Sequence, residues 1–267
     1  MSDTPPSASI PPHTGSQRRI VPQLGPHVWQ ADGLDPSDWM LPLGAEAAAA
    51  IGAMIAAPGA EVPEALAPVL AQIVERCDHG QGMVLLRGLP GQGAAEAAAT
   101  LGALGGALGQ PLREAHPAGG GVPDCDIFLI AAIATVELTL VSAGAAHNAL
   151  MLADRPALER LYRPMDEAGQ GPSVFSLQGG TFSGRFDPGK GSRGPLVPLA
   201  AVCADPSLPL RVTLRAGDML CLNPFLVWPQ LAEPGAKLEE ALLVQPLRMA
   251  VSRLGAPSAA PGDEVGG

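Results

Sequence analysis

The stretch LRVTLRAGDMLCLN (210–223) decides how the chain is read. Apolar and polar residues alternate from Leu210 to Leu214, and a second apolar run, Met219 to Leu222, follows. Between them stands Ala216-Gly217-Asp218, a hairpin-type turn. The same texture extends on both sides. SVFSLQ (173–178) and TFSGRFD (181–187) flank Gln178-Gly179-Gly180, and EALLVQPLRMAVS (240–252) is another strand-sized run. From Pro172 onward strand-sized runs therefore dominate.

Upstream the period changes. EAAAAIGAMIAA (46–57) is an Ala-rich helix stopped by Pro58, and apolar residues at 66, 69, 70, 73 and 74 keep a helical period to Cys77. GMVLLRGLP (82–90) reads as a buried strand, and AAEAAATLGALGGALG (94–109) as a helix with small residues for close packing. DIFLIAAIATVELTLVS (126–142) reads as two strands around Ala134-Thr135. Two short helices follow at 146–151 and 156–162, the second opened by Asp154. Helices first and antiparallel strands later imply an α+β protein whose second half is a β-sandwich or a double-stranded β-helix. Residues 1–24 are expected to be a disordered leader and 255–267 a disordered tail, leaving one body over 25–254.

Composition narrows the function. Of 267 residues 47% are hydrophobic but only 3% aromatic, so the core must be aliphatic. With 16 basic and 26 acidic residues the net charge is −10, which disfavours nucleic acid as a partner. No apolar run suits a membrane span or a signal peptide, so a cytoplasmic protein is expected. Cys77, Cys125, Cys203 and Cys221 stand singly, without metal or redox spacing, and Cys203 and Cys221 read as small hydrophobes of apolar strands. The histidines are His13, His27, His79, His116 and His147, so none follows residue 147.

Several segments, taken in order, resemble the taurine dioxygenase (TauD/TfdA-like) branch of the Fe(II)/2-oxoglutarate oxygenases. GPHVWQADGLDPSDWMLPL (25–43) is similar to that family's opening segment, GMVLLRGLP to its first strand, and LGALGGALGQP (101–111) to its "L-G-x-x-L-G-x-P" helix end. EAHP (114–117) stands where relatives carry a His-bearing turn. ELTLVSAGAAHNAL (137–150) with RPALERLYRP (155–164) resembles another paired motif, and LRAGDMLCLNP (214–224) the "L-x-P-G-D-x-x-F-L-N-N" turn. The resemblance implies a clavaminate synthase-like jelly roll with N-terminal and inserted helices. The chain is shorter than relatives usually are, which implies a truncated version.

That family holds iron with an H-x-D/E pair and a distal His, and clamps 2-oxoglutarate with an Arg. On the resemblance, Gly121, Val122 and Pro123 occupy the H-x-D positions and Pro229 that of the distal His. Val244 stands at the cosubstrate Arg, and Leu138 at a Thr that relatives commonly carry. Arg248, four residues past Val244, is the nearest cation, about 13 Å along a strand. Asp124 and Asp126 could share a strand face near His116 and hold a metal, but they are read as turn and strand-start residues. His147 is read as a capping or packing residue. Met219, Phe225 and Trp228 are expected to gather at the degenerate distal-His turn, as an apolar plug or a partner-facing patch.

The implied protein is a pseudoenzyme: a structural or regulatory subunit, needing no cofactor, that forms a homo- or hetero-oligomer, pairing with a protein such as a catalytic oxygenase. Two alternatives remain. One is a small-molecule binding protein using the emptied barrel. The other is an oxygenase with relocated ligands (His116, Asp124, Asp126), which would use Fe(II) and 2-oxoglutarate.

Overall fold

Small and aliphatic residues recurring at helical spacing build the N-terminal layer. The computed structural model describes residues 20–91, 93–112, 125–165, 172–188, 193–230 and 241–249. In chain order its elements are α1 (Pro36–Trp39), β1 (Met40–Pro42), α2 (Ala45–Ala56), α3 (Ala67–Asp78), β2 (Met83–Arg87), α4 (Ala94–Leu108) and β3 (Gln110–Pro111). Then come β4 (Ile127–Ala132), β5 (Val136–Ser142), α5 (Ala143–Ala153), α6 (Arg155–Leu161), β6 (Phe175–Gln178) and β7 (Thr181–Gly184). The last are α7 (Val197–Cys203), β8 (Leu210–Leu214), β9 (Met219–Leu222), β10 (Val227–Gln230) and β11 (Leu242–Arg248). No helix among the described residues is long and apolar enough to cross a membrane.

The major sheet has the order β1-β2-β9-β4-β11-β3, and the minor sheet the order β10-β5-β8. β6 and β7 form a separate hairpin through Gly179-Gly180, whose φ angles of +56° and +85° suit glycine. Consecutive strands β4 and β5, β8 and β9, β9 and β10, and β10 and β11 alternate between the two sheets, so the body is a double-stranded β-helix. The Ala216-Gly217-Asp218 turn is therefore a crossing between sheets rather than the hairpin its sequence suggests. Two bonds explain it: Gly217 N–H donates to Ala132 O and Ala132 N–H to Asp218 O, tying the turn to the end of β4. Arg87 pairs with Asp218 at 3.4 Å from the end of β2.

Alternation along the strands sorts the core into two layers. Met83, Leu85, Phe128, Ile130, Leu220 and Leu222 face the minor sheet, meeting Leu138, Leu140, Val212 and Leu214. Their neighbours Val84, Leu86, Leu129, Met219 and Cys221 face α2, α3 and α4 through Ile51, Ile73 and Leu104. Each buried aliphatic side chain contributes on the order of 1.5–3 kcal/mol. Jelly rolls have eight strands. Among the described residues the facing sheets supply β3, β11, β4 and β9 against β10, β5 and β8.

Two expectations need correction. VPLAAVC (197–203) is a helix, α7, not part of a strand run: Pro198 suits its first turn, and Leu199 and Cys203 are buried. Cys203 is thus a helical core residue, while Cys221 does lie on a strand. Residues 20–24, placed in the leader by composition, lie along α5 instead, because Gln23 exchanges two hydrogen bonds with Asn148 (2.7 and 2.8 Å). The tail expected at 255–267 lies outside the described residues.

Candidate functional site

Leu112 and Asp126, the described residues on either side of 113–124, both bond to one end of β11. Leu112 N–H donates to Pro246 O, and Asp126 N–H to the adjacent Leu247 O. The span between them is where the resemblance puts two iron ligands. His116, Gly121, Pro123 and Asp124 fall within it and lie outside the described residues. Asp126 is buried, and its Oδ2 accepts the Met249 N–H at 2.8 Å, closing the end of β11. Asp126 directly precedes β4.

The other positions that the resemblance assigns to the family's site lie on the two sheets. Pro229 stands opposite Leu140, and Leu138 opposite Val212, which sets these residues on the inner face of the minor sheet. Val244, opposite Ile130 on β11, packs against the same inner cluster. Arg248 lies at the far end of β11, opposite Gln110. Proline, valine and leucine side chains offer no ligating atom. Among the described residues no group of three His, Cys, Asp or Glu could hold a metal ion. At Pro229 and Val244 the side chains present therefore do not fit the family's distal ligand and cosubstrate clamp, while the positions of its other two ligands lie outside the described residues.

Chemistry gathers instead on the other face of the minor sheet. Trp228 pairs with Val141, so it points away from Pro229. Its indole is fully buried, and Nε1–H donates to Gly184 O at 3.1 Å. Gly184 permits this approach: a Cβ there would stand 2.7 Å from Trp228 Cζ2. Phe175 and Phe186 pack on the indole with centroids 5.9 and 5.4 Å away. Phe225 is buried beneath the Arg185 guanidinium, 4.8 Å from the ring centroid. Phe225 and Trp228 are thus covered within the chain and form no surface patch. Met219 does not join them, because it faces the helix layer on the far side of the major sheet.

His147 sits at the centre of this aromatic layer, edge-on to Tyr162, Phe175 and Phe182. It caps nothing: Ser142 Oγ caps α5 by accepting the Ala145 N–H. The imidazole joins a chain of hydrogen bonds. Asn148 Oδ1 accepts the Gln23 N–H and lies 3.2 Å from His147 Nδ1, so Nδ1 carries the proton. Nε2 then accepts from the Tyr162 hydroxyl at 2.9 Å. Burial lowers the His147 pKa from 6.5 and so favours the neutral imidazole, and the Asn148 bond partly opposes it. Burial likewise pushes Tyr162 up to about 12. With both ring nitrogens engaged, His147 is a packing and hydrogen-bonding residue.

A third feature is a surface groove of about 600 Å³ between the 26–38 segment and α5. Val28, Leu34, Ala145, Ala149 and Leu152 give it apolar walls, with Asp32 and Asp38 also lining it. Its frame is fixed by Trp29 Nε1–H donating to Gln81 O (2.8 Å) and Ser142 Oγ–H donating to His27 O (2.6 Å). Neither the groove nor the His147–Tyr162 pair was identifiable from sequence. The partners are 15 positions apart with no periodic signal between them.

No family model matches the chain, and no curated protein matches it. Among solved structures, asparagine oxygenase (AsnO) aligns with a TM-score of 0.52 at 13% identity, covering 79% of this chain and 93% of that one. The non-heme iron oxygenase OrfP in complex with Fe aligns at 0.49 and 13% identity, covering 79% and 94%. At this identity the asparagine oxygenase likeness shows the fold alone: that of the double-stranded β-helix oxygenases.

Proposed function

We propose that the chain is a non-catalytic relative of the Fe(II)/2-oxoglutarate oxygenases. In this reading it serves as a structural or regulatory subunit of another protein, such as a catalytic oxygenase. The observation that carries the proposal is the chemistry of three positions, Pro229, Val244 and Leu138. The resemblance assigns the first two to a metal ligand and a cosubstrate clamp, yet all three contribute aliphatic surface to the sheets. A 2-oxoglutarate carboxylate needs a bidentate cation, which valine cannot supply. Independently of any alignment, no histidine follows His147, and the ring of His147 is occupied on both nitrogens.

A retained scaffold without its ligands suits a protein whose surface, rather than its interior, does the work. The inner face is packed by buried Leu138, Leu140, Phe128, Ile130, Leu220 and Leu222, which gives the emptied-barrel reading no support. Co-expression of the full chain with oxygenases encoded beside it tests the proposal. A stable complex with one of them, and poor behaviour of the chain alone, is the expected result. A well-behaved monomer that retains none of them contradicts it.

A further inference from the structure

We infer that the groove between the 26–38 segment and α5 is a docking surface for an amphipathic helix of a partner protein, with basic residues beside its apolar face. The inference rests on the subunit reading and says where, and with what chemistry, the partner is held. Its first support is exposed apolar surface. Leu152 is 87% exposed and Leu24 82%, and Val21 is 46% exposed beside them in the chain. Lone exposed leucines are ordinary, but one of these lines the groove and the other is close in the chain to residues that border it. Leu152 lines the groove, and Leu24 lies between Gln23, which is bonded to Asn148, and Pro26, which both border it.

Charge selects the partner. Asp32 and Asp38 line the groove, and among the described residues no Lys or Arg does. A second copy of this chain would bring the same two carboxylates against them, in a protein of net charge −10. Like charges brought together disfavour that pairing, whereas Lys or Arg beside an apolar ridge satisfies both walls. Size excludes a small ligand as the natural occupant. A small ligand seated in the groove would reach Leu152 but leave Leu24, which is not among the lining residues, wet, whereas a helix laid along the groove and past its edge covers both. The frame bonds of Trp29, Ser142 and Asn148 hold the groove preformed, so little ordering cost falls on this side.

The test uses the full chain and a fluorescent Leu/Lys amphipathic helical peptide, with a Leu/Glu peptide of the same pattern as control. Saturable binding of the Leu/Lys peptide alone is expected. Leu152→Asp or Leu24→Asp should each weaken it by about tenfold or more, as for a buried interface anchor. Asp32→Asn with Asp38→Asn should weaken it less and reduce its salt dependence. All four sites are exposed, so unchanged circular dichroism and melting are expected. Binding that ignores Leu152→Asp and Leu24→Asp, or no saturable binding, overturns the inference. So does a dimer in sedimentation that Leu152→Asp dissociates. Peptide binding has no turnover readout, so it stands or falls separately from the non-catalytic reading.

Discussion

The two faces of the minor sheet are built on different principles. The inner face, with Leu138, Leu140, Val212 and Leu214, is aliphatic, and any side chain of similar volume serves there. The outer face near β10 gathers Trp228, Phe175, Phe182, Phe186 and Tyr162, five of the chain's nine aromatic residues, around His147. That layer is specified by directional bonds: indole to Gly184 O, hydroxyl to imidazole, imidazole to amide, amide to strap. The inner face is aliphatic and the directional interactions lie outside it.

Trp228→Ala should break the outer layer most severely. It empties a fully buried volume and leaves Gly184 O without its donor, for a loss of about 3–5 kcal/mol in urea unfolding. Leu138→Ala on the inner face should cost about 2–4 kcal/mol, and Leu138→Met less than about 1.5 kcal/mol. A larger loss from Leu138→Met than from Trp228→Ala would invert the comparison. Tyr162→Phe removes only the hydroxyl, yet it strands His147 Nε2 in the buried layer. A loss of about 1–3 kcal/mol is expected. A neutral result would show that the hydrogen-bond chain does not specify the layer.

Acid should act on the same layer more gently. Burial holds the His147 pKa below 6.5, so the unfolded chain takes up the proton first as pH falls. Stability should be level above that value and decline below it, until the folded state also protonates. His147→Gln should flatten this part of the profile of unfolding free energy against pH. An unchanged slope would place the titration elsewhere.

Sequence made the aliphatic half legible because its signal is periodic. β2, β4, β5, β9 and β11 lie where alternation or apolar runs put them, as do α2, α3 and α4. It misjudged α7, where a short apolar run of strand size is equally a one-sided helix. It also took the 215–218 turn for a hairpin, because turn chemistry is the same whether the next strand stays in the sheet or crosses. Pro229, Val244 and Leu138 could be named from motif order, since a resemblance assigns positions in one dimension. The partnership of Gln23, His147, Asn148 and Tyr162 could not, because it depends on where a strap crosses a helix. The exposure of Leu24 and Leu152 was hidden for the same reason.

The central claim is that this chain keeps the oxygenase scaffold without its chemistry. Anaerobic Fe(II) titration of the full chain, followed by an assay for 2-oxoglutarate consumption in the presence of oxygen, addresses it most directly. The account predicts no stoichiometric Fe(II) binding and no 2-oxoglutarate turnover. One Fe(II) bound per chain, with turnover abolished by His116→Ala or Asp124→Ala, would contradict it.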